Sequence, residues 1–223
     1  LSQSEEDLVS FGYTINEKKG MYYKSGMIYM KWGEYDKAIK GFSQALQLSF
    51  DDTNTWWNAH YHRRLGLVYS FLGEYTKASN AYLESIKLNK TINYPESQIE
   101  IPLKSICQYG YIEELLGHSE IAKENMRECE NWIGENPEKF SKLDPNLHHD
   151  VRDYHAYEII WPLYLYYDSL NQTTKASKYL LMAYDVVGKE KIEKYHTHPS
   201  KDTDPYFFYC RDIIKTYEAS LNQ

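Results

Sequence analysis

AHYHRRLGLVYSFLGEYTKASNAYLESIKL, residues 59–88, divides at Gly73 into two amphipathic helical halves. Small residues recur at fixed places, Gly66, Ala78 and Ser85, and large ones surround them: Leu65, Tyr69, Tyr75, Tyr82 and Leu88. Small against large at helical spacing predicts two antiparallel helices packed closely across a tight turn. Gly73 supplies the left-handed conformation that ends the first of them. The unit also occurs forty residues earlier, where Gly26 stands for Gly66 and Gly33-Glu34-Tyr35 stands for Gly73-Glu74-Tyr75. Two spacings that agree are the mark of an internal repeat.

Outward from this stretch the chain reads as more of the same. Helix pairs are expected over residues 19–50, 54–90, 96–134 and 146–195, with a flanking helix over residues 1–18 and a capping helix over residues 204–223. At the start, Ser4 offers a cap, Glu5, Glu6 and Asp7 suit a first turn, and Leu8, Val9 and Phe11 give an apolar side. The third pair keeps Gly110, Gly117 and Ala122 but has no tyrosine at its turn. In the fourth, Lys175-Ala176-Ser177 matches Lys77-Ala78-Ser79, and Pro162 predicts a kink or break just before it. Pro205 is expected to open the last helix, with Phe207, Phe208, Ile213 and Tyr217 available for one face.

Composition narrows the function classes. The 223 residues carry a net charge of −7, which argues against nucleic-acid binding, because phosphate contact needs a basic surface. No run of about 18 apolar residues exists to span a membrane. The 23 tyrosines suit both helix packing and a binding surface. Cys107, Cys129 and Cys210 form no metal pattern and read as small buried hydrophobes. A bridge between Cys107 and Cys129 is geometrically conceivable but not expected. The first residue is Leu1, and no leader segment is visible, so a cytoplasmic and an exported protein both fit.

The pairs resemble tetratricopeptide repeats. The first shows Tyr22, Gly26, Tyr29, Gly33, Tyr35, Ala38, Phe42, Ala45 and Leu48 at the family's positions. The second shows His62, Leu65, Gly66, Tyr69, Gly73, Tyr75, Ala78, Tyr82, Ser85 and Leu88. The third is degenerate, with Tyr109, Gly110, Gly117, Ala122 and Met126, and the fourth is recognisable mainly through Ala176, Leu180 and Ala183. The resemblance implies an all-α solenoid, a right-handed superhelix of antiparallel pairs, whose first helices line a concave groove. Intervals of 40, 44 and 54 residues from Gly26 to Gly66, Gly110 and Tyr164 exceed the family's usual period, which leaves the curvature open.

By that resemblance the groove residues are Tyr23, Met27, Met30 and Lys31, then His60, Arg63, Leu67, Ser70 and Phe71. Further along come Lys104, Cys107, Tyr111 and Glu114, then Glu158, Trp161, Leu165 and Asp168. Tyr23 and Met27 occupy the places of the lysine–asparagine clamp by which some members hold a peptide carboxylate, so that subtype is not expected. Aromatics, methionine and isolated charges fit a peptide with apolar anchors better. His148, His149, Asp153 and His155 are the densest metal-capable cluster, read as a solvated helix start, and no cofactor is expected. No nucleophile elbow, phosphate-cradling loop or zinc-protease motif is present, so no enzymatic activity is expected. The function expected is a non-catalytic scaffold that binds a protein or peptide partner. The alternative is a ligand- or peptide-sensing domain of a larger signalling protein.

Overall fold

Thr14 starts the described chain's first helix by satisfying its free amides: its hydroxyl accepts from the Glu17 N–H, while the Glu17 carboxylate accepts from the Thr14 N–H. A computed structural model describes residues 13–49, 55–94, 100–137, 156–187 and 205–221. Their helices are α1 (Ile15–Lys31), α2 (Tyr35–Gln47), α3 (Thr55–Phe71), α4 (Tyr75–Asn89), α5 (Glu100–Leu115) and α6 (Ser119–Glu135). A π-helical turn over Ala156–Ile160 then runs into α7 (Trp161–Ser169), followed by α8 (Thr173–Val187) and α9 (Pro205–Ser220). The expected flanking helix over residues 1–18 is corrected where it can be seen: Thr14 is extended, and residues 15–18 are the first turn of α1. Its earlier part lies outside the described residues, as do Gly188–Thr203.

Four hairpins share one turn. The left-handed residues are Gly33, Gly73, Gly117 and, in the fourth pair, Asn171 at φ 55°. Asparagine is among the few side chains that tolerate this region. The next amide always reaches five residues back: Glu34 to the Tyr29 carbonyl, Glu74 to Tyr69, His118 to Glu113 and Gln172 to Tyr167. That bond closes each first helix and aims the chain back along it. Five residues after the left-handed residue come Ala38, Ala78, Ala122 and Ala176, all buried. Nine after come Phe42, Tyr82, Met126 and Leu180, and twelve after come Ala45, Ser85, Cys129 and Ala183, also buried. The repeat is therefore strict inside each hairpin, and the irregular intervals lie between hairpins.

Close approach explains the small residues. A Cβ added to Gly26 would stand 2.7 Å from the Phe42 ring, and one added to Gly66 would stand 2.8 Å from the Tyr82 ring. The pairs α1/α2, α3/α4 and α5/α6 pack most extensively within themselves, α8 packs on both α7 and the π turn, and each pair packs on the next. One core cluster joins the first two pairs around Met30, Phe42 and Val68; a larger one runs from Tyr82 to Ile213 on α9. On the outside, Lys37 lies over Tyr29 and pairs with Glu34, and Lys77 lies over Tyr69 and pairs with Glu74, at the same place in successive pairs.

Two features depart from expectation. Cys107 and Cys129 are disulfide-bonded, not separate thiols, with their Cα atoms 5.9 Å apart. Cys129 occupies the small-residue place of Ala45 and Ser85, and Cys107 the place of Tyr23 and Arg63 opposite it, so the hairpin itself brings them within bridging range. The last helix also does more than cap: α9 packs on α8 and reaches the π turn and α1.

The glycine contacts give an opposed pair of outcomes. Gly66→Ala overfills the Tyr82 contact and should cost about 1–3 kcal/mol. Gly20→Ala, whose Cβ would meet nothing within 4 Å, should stabilise α1 by about 0.5–1 kcal/mol. Urea unfolding of both variants beside the parent checks the sign of each.

Candidate functional site

The inner helices α1, α3, α5 and the π turn with α7 carry the residues expected to line a groove. That face has two parts, one closed and one open. The closed part is a chain of polar side chains running from the first pair to the fourth. Glu158, buried in the π turn, binds the Nη1 atoms of Arg63 and Arg64, the latter at 3.2 Å. Arg63 Nη2 lies 3.1 Å from His60 Nδ1, and His60 Nε2 lies 2.8 Å from the Tyr23 hydroxyl.

Local sequence places these groups. Arg63 and Arg64 follow one another on α3 and so diverge by about 100°, which lets them grip the two oxygens of one carboxylate. Pro162 has no N–H, and its ring would collide with the carbonyl four residues back, that of Glu158. The π turn ends at Ile160, and Pro162 falls in the first turn of α7, where a missing donor costs nothing. The break expected before this proline is thus a widened turn, and it carries Glu158.

Chemistry fixes the protons. A guanidinium can only donate, so His60 Nδ1 must accept from Arg63, and the imidazole proton sits on Nε2, facing Tyr23. Burial, then the charges of Arg63, Arg64 and Lys104, hold the His60 pKa well below the ordinary imidazole value of 6.5. Stacking with Trp56, a tilted contact with Tyr23 and an edge contact with Trp57 box the ring in.

The open part is a cleft of about 160 Å³ at the opposite ends of the same helices. Tyr75, Tyr111, Leu115, Trp161, Pro162 and Leu165 form its apolar walls, and Ser70 and Gln108 add polar edges. Three successive pairs contribute. Tyr75 and Leu115 remain 36% and 39% exposed, so this lining is within reach of solvent. Beside it, burial and then the charges of Tyr75 and Asp168 push the Tyr111 hydroxyl up. Tyr164 is raised by burial and then by Asp168.

The residues expected along the groove thus have different fates. Tyr111 and Trp161, with Ser70 and Leu165, come together at the cleft, with Glu114 and Asp168 beside it on α5 and α7. Tyr23, His60, Arg63 and Glu158 form the closed end, where the two arginines are engaged internally. Met30 and Leu67 are corrected to core residues: both are buried in the cluster that joins the first two pairs. Met27 and Phe71 pack against the same cluster, Cys107 is in the disulfide, Lys104 is half-buried near His60, and Lys31 is exposed. Tyr75, Leu115 and Pro162 were not among the expected residues. Tyr75 belongs to a second helix, and a scheme that assigns the inner wall to first helices passes over it.

No helix among the described residues is long and apolar enough to cross a membrane. Among those residues no cluster of three metal-binding groups occurs, and His148, His149, Asp153 and His155 lie outside them.

Two outcomes follow from the closed end. Glu158→Gln leaves two buried guanidinium groups facing a neutral amide and should cost about 3–5 kcal/mol, whereas replacing Glu158, Arg63 and Arg64 together by apolar residues should recover most of that. Urea unfolding of the single and triple variants decides. His60, with its folded pKa depressed, contributes stability that is complete above 6.5 and is lost as pH falls from there toward the folded value. His60→Asn should flatten the acid limb of a stability–pH profile.

Comparison with known proteins agrees with the fold of the first two hairpins. No curated protein matches the sequence. A tetratricopeptide repeat family model matches residues 20–91, which are the first two hairpins, and no catalytic domain is detected. Such repeats are generally protein–protein interaction modules. Residues 20–91 are thus similar to tetratricopeptide repeats, and the sequential antiparallel hairpins that follow are consistent with a helical repeat of that kind.

Proposed function

We propose that the chain is a non-catalytic protein–protein interaction scaffold that holds a segment of its partner in the open cleft of the concave face. One observation carries this reading: three successive hairpins converge on a solvent-accessible apolar depression, lined by Tyr75, Tyr111, Leu115, Trp161 and Leu165. Aromatic and aliphatic side chains around a concavity are what an anchor residue requires, since burying it there releases water from both surfaces. The depression is wide enough for one large side chain, so the partner contributes a single main anchor with weaker contacts on either side.

The closed end supports the same placement. Tyr23, His60 and Arg63 are bonded to one another and to Glu158, and binding there would first have to break those bonds. A partner meets less resistance at the cleft, where the walls are already formed.

Affinity capture from the native source tests the proposal. Tyr111→Ala with Leu165→Glu should remove the specific partner while leaving the helical content and melting profile near those of the parent. An unchanged set of captured proteins would sink the cleft as the binding surface.

A further inference from the structure

The charges around the groove are not evenly placed. Its arginines stand at the closed end, where Arg63 and Arg64 share the Glu158 carboxylate. Beside the open cleft the charged groups of α5 and α7 are acidic. Glu114 adjoins Leu115 and lies one turn beyond Tyr111 on α5; Asp168 lies one turn beyond Leu165 on α7. Asp168 is exposed, and among the described residues no ion pair engages it or Glu114. Glu114 Oε2 is buried and has no hydrogen-bond partner there. A carboxylate that no cation among the described residues balances is best met by a cationic donor.

Resting on the cleft reading above, we propose that the partner segment is basic: an apolar anchor fills the cleft, and a lysine or arginine beside it meets Glu114 and Asp168. The net charge of −7 favours approach of such a segment over an acidic one. The same arrangement disfavours a peptide carboxylate. Such a group would face Glu114 and Asp168 at the open end, and the arginines that could receive it already hold Glu158.

A displayed library of random twelve-residue peptides, selected on the full chain, supplies the probe. Selected peptides should carry Lys or Arg within a turn or so of Leu, Met, Phe or Trp. Their affinity, read by fluorescence anisotropy, should fall at least tenfold in Glu114→Gln with Asp168→Asn, and should weaken with added salt. The charge-reversed variant, Glu114→Lys with Asp168→Lys, should select acidic peptides instead, a change that an unfolded protein cannot produce. Peptides lost on Leu165→Glu but neutral or acidic, and indifferent to the carboxylate variants, would overturn the basic partner and leave the cleft standing. Peptides indifferent to Leu165→Glu, or a library without binders, would overturn both.

Discussion

The fold depends on how near two helices can come. In the first two hairpins a glycine on the inner helix lies flat against an aromatic ring on the outer one, Gly26 against Phe42 and Gly66 against Tyr82. The contact leaves no room for a methyl group, so it sets the separation of the pair. The left-handed turn residue then sets its direction, and the alanine five positions later lets the returning helix pass. The left-handed turn residue and the buried alanine recur at every hairpin, with Asn171 replacing glycine at the fourth turn, whereas the glycine–ring contact is confined to the first two. A helix pair built this way has two apolar faces and can bury only one by itself, which is why the pairs stack.

Stacking alone would leave a uniform inner wall. The fourth pair prevents that. Pro162 forces a wide turn at Ala156–Ile160, and that turn directs Glu158 against arginines of the second pair, 95 and 94 positions earlier in the chain. Ion pairs of this kind add little net stability, because desolvating three charges offsets most of the attraction. Their larger effect here is geometric: they tie the second pair to the fourth and close one end of the groove. The open end keeps a solvent-accessible cleft, and its lining is apolar with acid beside it.

Much of the candidate site was legible, residue by residue. Tyr111, Trp161 and Leu165 stand at positions that the family resemblance assigns to the inner wall, and the cleft brings these three together. Other assignments failed for a physical reason. Met30 and Leu67 sit at inner positions, yet neighbouring pairs approach closely enough to cover them. Tyr23, His60 and Arg63 were expected to meet a partner and instead meet one another and Glu158, a bond that no local pattern encodes. The disulfide was within reach of inference, because Cys107 and Cys129 fall at facing places of one hairpin, but spacing in the chain does not by itself say which cysteines face.

The sequence by itself determined the hairpin: where each helix ends, which residues are small, which are large, and that the unit repeats. Those are short-range facts, decided by turn conformation and by steric fit between helices adjacent in the chain. Only the tertiary structure decided how the pairs curve, which inner positions become core, and that a carboxylate from the fourth pair closes one end of the groove. These depend on contacts between residues far apart in the chain, and such contacts are set by the accumulated angles of every hairpin between them.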